Sequence, residues 1–229
     1  MRIVFVRHGD PNYVDNCLTP LGHKQAAAAA VRLQDEGIEK IYSSTAGRAV
    51  ETAEYTARTL GLAIEQHQWM YEIGWGPKGR GLYADGHPWF TSLHMVSEGQ
   101  SVVDHHWSVT KPFSENWITP LVDKAGRDFD ELLEQLGYRR EGEYYRVLEN
   151  RPYQTVAVFS HGGFSSAVIA HLFNLSFPFV CSSLIPDVTA ITVATFAKDA
   201  KVGALITPRF EIANDSRHIR GLTVENGEA

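Results

Sequence analysis

The sequence predicts an α/β protein whose mostly parallel central sheet carries helices on both faces, with a cap inserted over the sheet. The first observation is an alternation of strand-like and helix-like segments over residues 3–61. The second is the return of this alternation over residues 155–172, and the third is the irregular composition of the segment between them. Two strand-like runs after residue 189 complete the predicted sheet.

The first strand and helix occupy residues 3–37. Ile3–Val6 is a continuous β-branched and aromatic run, which is typical of a strand buried on both faces of a parallel sheet. Thr19 and Pro20 predict a helix N-cap followed by proline at the first helical position. We expect the alanine-rich helix that follows to end at Gly37, because glycine is favoured just past helix C-termini.

A second strand is predicted at Lys40–Tyr42, and a second helix from Ala46 to Gly61. Spacings of three and four residues place the apolar side chains of this helix on one face, which is expected to pack on the sheet. That face consists of Ala46, Val50, Ala53, Ala57 and Leu60.

The segment of about residues 74–150 interrupts the alternation. Its first residues, 74–81, are rich in glycine and predict irregular structure, whereas Thr119-Pro120 and Gly137 delimit one helix. We interpret this segment as a cap inserted over the sheet and not as an independent domain. Residues 1–229 are therefore predicted to form a single domain.

The α/β pattern returns with a continuous apolar strand at Thr155–Phe159, followed by Ser160-His161-Gly162-Gly163 and an apolar helix face. Two further strands are predicted near residues 190–196 and 203–212. We expect them to extend the sheet in antiparallel orientation across a turn at Lys198-Asp199.

The composition excludes several classes of function. A formal net charge of −6 and a pI of about 5.9 give no basic surface for nucleic acid. No segment has the pattern of a signal peptide or of a membrane span, so we predict a cytoplasmic protein without a membrane partner. Cys17 and Cys181 show neither a disulfide framework nor the spacing of metal ligands.

Two histidines follow predicted strands and are each next to a glycine. His8 lies in Arg7-His8-Gly9 after the first strand, and His161 precedes Gly162 after the late strand. In open α/β sheets, ligands bind beyond the carboxyl ends of the strands. Glycine lets backbone N–H groups approach an anion closely, and a helix N-terminus favours negative charge. If only one histidine followed a strand in this way, a structural role would be the better interpretation. Two histidines at equivalent strand ends favour an anion-binding site.

Arg48 is the third candidate. It lies in the first turn of the second predicted helix, just beyond another strand. Positive charge at a helix N-terminus is unfavourable by ~0.3–1 kcal/mol when exposed, and a bound anion would offset that cost. Pairing with Glu51 or Glu54 is the structural alternative.

Four segments, taken in order, resemble motifs of the histidine phosphatase superfamily, which includes the cofactor-dependent phosphoglycerate mutases. Arg7-His8-Gly9 resembles the first motif, and residues 18–26 resemble the signature of the first helix. Tyr42-Ser43-Ser44 with Arg48 is similar to the second-arginine motif, and residues 160–163 are similar to the late histidine motif. The resemblance implies a phosphoglycerate mutase-like fold.

The resemblance also implies a mechanism. His8 would attack phosphorus and become a phosphohistidine, which water would then hydrolyse. Arg7, Arg48 and a protonated His161 would surround the phosphoryl oxygens, and Gly162 would offer a backbone N–H. The implied activity is hydrolysis of a small phosphorylated substrate, with no metal and no cofactor.

Glu72 is the proton donor that the resemblance implies. In the branch of the family with glycine after the late histidine, a glutamate ahead of the cap protonates the leaving group, and Glu72 in residues 70–76 matches that motif. Tyr71, Trp75 and a bound phosphate are expected to raise the pKa of the Glu72 carboxyl. Gly162 stands where the other branch has an aspartate.

Departures from the mutase pattern favour a hydrolase. Asp10-Pro11 and Tyr13-Val14 stand where the mutases have phosphate-binding residues. A mutase-type phosphotransferase and a non-catalytic phosphate-binding protein remain as alternatives, and the sequence decides neither the substrate nor the oligomeric state. The histidines of the cap lack metal-ligand spacing.

The aromatic residues of the cap are interpreted either as ordinary packing or as walls for a bulky or apolar leaving group. They are Trp69, Tyr71, Trp75, Tyr83, Trp89, Phe90, Trp107 and Trp117.

Overall fold

The computed structural model of the chain describes residues 1–74, 87–149 and 153–222. Its strands are β1 (Arg2–Arg7), β2 (Pro11–Asn12), β3 (Cys17–Leu18), β4 (Lys40–Ser44), β5 (Ile64–His67), β6 (Tyr138–Glu141), β7 (Tyr144–Val147), β8 (Thr155–Ser160), β9 (Ile191–Thr195), β10 (Leu205–Ile206) and β11 (Arg209–Asp215). Its α-helices are α1 (Pro20–Leu33), α2 (Gly47–Leu60), α3 (Pro88–Ser97), α4 (Thr119–Gln135), α5 (Gly162–Leu172) and α6 (Phe177–Ser183).

Within these ranges the central sheet has the strand order β11-β9-β1-β8-β4-β5. The strands β1, β8, β4 and β5 are parallel to one another, whereas β9 is antiparallel to β1 and β11 is antiparallel to β9. The predicted α/β class with a mostly parallel sheet is therefore confirmed.

The alternation of side chains along β1 explains why both faces of the sheet are covered. Ile3 and Phe5 belong to the apolar cluster that contains α4 and α5, whereas Val4 and Val6 belong to the cluster on the other face. Successive side chains of a strand point to opposite faces, so a strand that is apolar throughout requires a helix layer on each side.

Helix α1 begins where the sequence predicts and ends earlier than the sequence predicts. The Thr19 hydroxyl caps α1 by accepting a hydrogen bond from the N–H of Gly22 at 3.1 Å, as its sequence predicts. The helix ends at Leu33 and not at Gly37, because the residues between them turn and Glu36 forms an ion pair with Arg2 at 2.6 Å.

Helix α2 ends at Gly61 as predicted, and this glycine adopts the left-handed conformation with φ 67°. Its buried face is rotated from the predicted stripe and consists of Arg48, Ala49, Thr52, Ala53, Thr56 and Ala57. The predicted Val50 is only half-buried. Small residues form this face because α2 packs closely against α1 and the sheet, where small side chains fit.

Part of the predicted cap belongs to the sheet layer. The ring of Phe129 on α4 lies 5.5 Å from the ring of Phe5 on β1, so α4 packs directly on the sheet. The strands β6 and β7 form a separate small sheet with β10. Helix α3 was not predicted, and most of the glycine-rich stretch 74–81 lies outside the described residues. The single domain of residues 1–229 with its cap at about 74–150 stays a prediction.

The strand predicted over residues 203–212 is divided into two. Its first part is β10, which pairs with β7, and its second part is β11, which pairs with β9. Pro208 stands between them and has no N–H to donate to a sheet, which explains the break. The turn at residues 198–199 is present, and β9 and β11 are antiparallel as predicted.

The packing of α4 predicts unequal costs for two phenylalanine truncations. Phe129 is 1% exposed, and Phe129→Ala is expected to lower the free energy of unfolding by about 3–5 kcal/mol, because it leaves a cavity under the sheet. Phe90, which is 58% exposed on α3, is the matched control, and Phe90→Ala should cost less than about 1 kcal/mol. Urea unfolding measures both. Equal losses would contradict the packing of α4 on the sheet.

Candidate active site

His8 follows directly on β1 and is buried, with 1% of its surface exposed. Its backbone N–H donates to the carbonyl of Ser160 at 2.9 Å, so the turn after β1 is anchored to the end of the neighbouring β8. Its carbonyl accepts a hydrogen bond from the N–H of Thr189 at 3.3 Å. These bonds hold His8 at the carboxyl edge of the sheet.

The hydrogen-bond partners of His8 define its tautomer. Nδ1 lies 2.7 Å from the carbonyl oxygen of Gly9. A carbonyl oxygen only accepts, so Nδ1 must carry the ring proton. Nε2 is then unprotonated, and it accepts a hydrogen bond from Nε of Arg48 at 3.3 Å. The nucleophilic nitrogen of the ring therefore faces a guanidinium group.

The His8 ring is neutral in this environment. Its pKa is lowered to about 3, chiefly because burial disfavours the charged imidazolium and also because Arg7 and Arg48 place positive charge nearby. The hydrogen bond to Gly9 acts in the opposite direction and is outweighed. A neutral imidazole is the form that can attack phosphorus.

Arg48 connects the two histidines. It lies in the first turn of α2 and is only 6% exposed. Besides its contact with His8, its Nη2 lies 3.0 Å from Nδ1 of His161, and its Nη1 donates to Oδ1 of Asn16 at 2.7 Å. The aromatic rings of Tyr13 and Tyr71 lie 5.4 and 5.7 Å from the guanidinium carbon. The three hydrogen-bond partners of this buried cation among the described residues are all neutral.

His161 lies between β8 and α5 and is fully buried. Because the guanidinium of Arg48 can only donate, Nδ1 of His161 accepts, and Nε2 donates to the hydroxyl of Ser44 at 2.8 Å. Burial, with the neighbouring His8, Arg48 and Arg7, lowers the pKa of His161 to about 2. The ring is therefore neutral in the free site, since desolvation and the two positive neighbours disfavour a third cation. The protonated ring that the resemblance implies concerns the site with a phosphoryl group bound and stays a prediction.

Arg7 is the last residue of β1, and it points into the same site. Its Nη1 donates to the carbonyl of Pro186 at 2.7 Å. Its Nε is buried, and no acceptor for it occurs among the described residues. A buried guanidinium N–H without an acceptor is costly, so an anion that accepts from this atom would be stabilised there.

Gly162 begins α5 beside Arg7 and Trp89. A Cβ atom at this position would lie 2.9 Å from Cη2 of Trp89 and 3.4 Å from the guanidinium carbon of Arg7. A side chain at this position would press on the tip of the Trp89 indole, which would have to move. Glycine therefore lets Trp89 and Arg7 lie close to the start of α5, where the sequence predicts an anion contact.

Glu72 reaches the same helix from the other side. Its Oε1 accepts from the N–H groups of Ile73 and Phe164 at 2.9 and 3.0 Å, and its Oε2 accepts from Gly163 at 3.3 Å. Burial raises the pKa of the Glu72 carboxyl, and this effect exceeds the opposing effect of the three N–H donors and of Arg7. The raised pKa agrees with the predicted direction, and burial is its main cause. Trp75, which was expected to contribute, lies outside the described residues.

Several residues to which the sequence analysis gave no role in the site help to shape it. Asn16 has a positive φ of 53° and holds Arg48, and its carbonyl would lie 2.2 Å from a Cβ at Gly47. Ser44 orients His161, and the hydroxyl of Thr52 accepts from the N–H of Gly9 at 3.1 Å. Serine and threonine next to the arginine motif were visible in the sequence, but the contact between Asn16 and Gly47 depends on a close approach of two loops.

A cavity of about 300 Å³ lies elsewhere, at the C-terminal end of α5. Its walls include Arg140, His171 and Asn174, and none of the six predicted site residues lines it. We place the candidate active site at the carboxyl edge of the sheet, because the perturbed histidines and the guanidinium groups converge there. Across the described ranges, no three His, Cys, Asp or Glu side chains are grouped as a metal site would need.

Comparison with known proteins agrees with this geometry. Residues 3–86, which include Arg7, His8, Arg48 and Glu72, match the model of the histidine phosphatase superfamily (branch 1). The N-terminal part of the chain, residues 3–86, is thus similar to members of this superfamily. The resemblance stated from four sequence motifs is thereby confirmed. The roles of the individual site residues stay predictions.

The chain is similar to several characterised or named members. A putative phosphoserine phosphatase 2 of Hydrogenobacter thermophilus is 26% identical over 180 residues, which cover 75% of this chain and 78% of that protein. The fold is similar to that of a mutant phosphoserine phosphatase from Entamoeba histolytica in complex with phosphoserine, with a TM-score of 0.61. The two sequences are 19% identical, and the match covers 95% of this chain and 98% of that chain. It is also similar to a mycobacterial glucosyl-3-phosphoglycerate phosphatase, with a TM-score of 0.62, 21% identity, and coverage of 93% and 98%. Within the described part of the chain, no helix combines the length and the apolar character that a membrane crossing requires.

The tautomer and the lowered pKa of His8 can be tested by ¹⁵N NMR of the imidazole nitrogens, with the signal assigned by its loss in His8→Asn. We expect a neutral ring protonated on Nδ1 from pH 8 down to about pH 4, because its pKa is lowered to about 3. An unfolded chain, with a histidine pKa of about 6.5, binds this proton more readily. The contribution of His8 to stability therefore rises with pH between about 3 and about 6.5. Titration near pH 6.5, or a proton on Nε2, would contradict the assignment.

Proposed function

We propose that the protein is a metal-independent phosphomonoester hydrolase that acts through a phosphohistidine intermediate on His8. The observation that carries this proposal is the unprotonated Nε2 of a buried, neutral His8, which faces the guanidinium of Arg48. The match of residues 3–86 to the histidine phosphatase superfamily model supports the reaction class.

The phosphoryl group is held by charges that the protein alone does not neutralise. Arg48 has only neutral hydrogen-bond partners, and Arg7 has a buried Nε without an acceptor in the described ranges. A phosphate that enters between them supplies the missing negative charge, and the N–H of Gly162 at the start of α5 adds a further donor. These donors are in place before the reaction, so they stabilise the charge that develops in the transition state.

In the first step, Nε2 of His8 attacks phosphorus in line as the P–O bond to the leaving alcohol breaks. The lone pair of Nε2 forms the new N–P bond, and the electrons of the broken bond go to the leaving oxygen. Glu72 in its protonated form gives its proton to that oxygen, so that an alcohol and not an alkoxide departs. The hydrogen bond from Nδ1 of His8 to Gly9 stabilises the positive charge that the ring acquires.

In the second step, the Glu72 carboxylate accepts a proton from water, whose oxygen attacks phosphorus. The N–P bond breaks, its electrons return to Nε2 of His8, and inorganic phosphate departs. Glu72 has then regained the proton that it gave to the leaving group. The three N–H groups that bind its carboxylate stabilise the ionised form between the two steps.

Protonation of His161 is coupled to phosphate binding in this proposal. The pKa of His161 is lowered to about 2 by burial and by three neighbouring side chains. A dianion beside the ring adds an opposing charge and raises this pKa. When Nη2 of Arg48 turns from Nδ1 of His161 to the phosphate, Nδ1 is released and can take up a proton. The protonated ring of the sequence prediction then belongs to the complex and not to the free site.

The similar proteins suggest the first substrates to test. Their names and bound ligands point to phosphoserine, 3-phosphoglycerate and glucosyl-3-phosphoglycerate. A panel that contains these compounds and p-nitrophenyl phosphate, assayed for phosphate release without added metal, tests the activity. A chelator in a parallel assay tests metal independence. A search for phosphate transfer to a second alcohol distinguishes a mutase-type phosphotransferase.

Two substitutions test the assigned roles. His8→Ala is expected to abolish phosphate release while thermal unfolding shows an intact fold, because no other group replaces Nε2. Glu72→Gln is expected to slow hydrolysis of an alkyl phosphate by about 10²–10⁴-fold and that of p-nitrophenyl phosphate much less, because nitrophenolate scarcely needs a proton. Near-normal turnover by His8→Ala would refute the nucleophile. Equal slowing of both esters by Glu72→Gln would remove Glu72 from the role of acid.

A further inference from the structure

Trp89 brings an aromatic surface to the edge of the phosphate site. It lies in the first turn of α3, whereas His8 and His161 follow strands of the central sheet. Its ring lies 5.8 Å from the guanidinium carbon of Arg7, within the range of a cation–π contact. Its Cη2 would be only 2.9 Å from a Cβ on Gly162, so the tip of the indole lies directly over the first residue of α5.

The indole is held in place by its own neighbours on the same segment. The ring of His87 lies 4.5 Å from the Trp89 ring, and 5.4 Å from that of Phe90. Trp89 is half-buried, whereas Phe90 points away and is 58% exposed. Two adjacent aromatic residues of α3 thus face in different directions, and only Trp89 faces the site.

The opposite side of the site is aromatic as well. The ring of Tyr71 lies 5.5 Å from the ring of His161 and 5.7 Å from the guanidinium carbon of Arg48. Tyr13 covers the same guanidinium at 5.4 Å, and it is 67% exposed. A phosphoryl group held by the two arginines would therefore lie between Trp89 beside Arg7 and the two tyrosines beside Arg48.

Such walls discriminate among leaving groups. A flat aromatic group gains contact with the indole and phenol faces when it displaces water from them. A leaving group rich in hydroxyls loses hydrogen bonds to water there, and an aromatic face does not replace them. The surroundings of the phosphate thus favour one class of phosphomonoester over another.

We propose that Trp89 is a specificity-determining residue that selects phosphomonoesters with an aromatic or similarly flat apolar leaving group. Faster hydrolysis of such esters rests on the proposed hydrolase function. The preference in binding does not, because it can be measured without turnover. Trp89 contacts the leaving group, and Arg7 and Arg48 contact the phosphoryl group.

The experiment compares two phosphonates that cannot be hydrolysed, benzylphosphonate and 2,3-dihydroxypropylphosphonate. Isothermal calorimetry gives their dissociation constants for the wild type, for Trp89→Ala and for Phe90→Ala. Phe90→Ala removes an aromatic ring from the next position of the same helix and serves as the matched control. The kcat/KM values of benzyl phosphate and glycerol 1-phosphate are measured on the same three proteins.

We expect the wild type to bind benzylphosphonate about tenfold more tightly, Trp89→Ala to lose this preference, and Phe90→Ala to retain it. Equal binding of the two phosphonates by the wild type would overturn the proposal whatever the variants do. So would a preference that survives in Trp89→Ala, or an equal loss for both ligands, which would mean that Trp89 only positions Arg7. A wild type that binds with the expected preference but hydrolyses neither ester would refute the hydrolase and leave the role of Trp89 standing.

Discussion

The site depends on one buried cation whose hydrogen-bond partners, within the part of the chain that the structure describes, are all neutral. Arg48 is 6% exposed, and its guanidinium donates to His8, His161 and Asn16. Burying a charge without an ionic partner is unfavourable, and its place in the first turn of α2 adds to that cost. The same arrangement determines the state of both imidazoles, because a guanidinium only donates and therefore requires an unprotonated nitrogen on each ring. A phosphate dianion supplies the missing charge, so the site is organised for an anion before one arrives.

The fold brings these groups together through three neighbouring parallel strands. β1 ends in Arg7 and is followed by His8, β8 is followed by His161, and β4 leads into the helix that carries Arg48. Parallel strands end at the same edge of the sheet, so the three segments meet although they are far apart in the chain. The antiparallel strands β9 and β11 extend the sheet on the far side of β1 and leave this edge unchanged.

Much of this arrangement follows from local sequence signals. The strand ends at His8 and His161 could be predicted because a continuous apolar run stops abruptly at a polar residue, and their proximity follows from parallel pairing. The protonation of His161 could not be predicted in the same way, because its pKa depends on burial and on three charged or titratable neighbours. Asn16 was missed because its contact requires a left-handed backbone and a close approach to Gly47, neither of which leaves a periodic pattern. The sequence analysis placed α4 in the cap, whereas the structure packs it on the sheet. An amphipathic pattern shows that one face of a helix is buried, but it does not show which layer covers that face.

The central claim is that Nε2 of His8 carries the phosphoryl group, and trapping that intermediate tests it most directly. The enzyme is mixed with a rapidly hydrolysed phosphomonoester, quenched in alkali, in which phosphohistidine survives, and digested for mass spectrometry. We expect one phosphorylated peptide, which contains His8, and NMR should place the phosphate on Nε2. The variant His8→Ala should give no phosphorylated peptide. Phosphate found on His161, on Nδ1 of His8 or on a carboxylate would show that Nε2 of His8 is not the nucleophile.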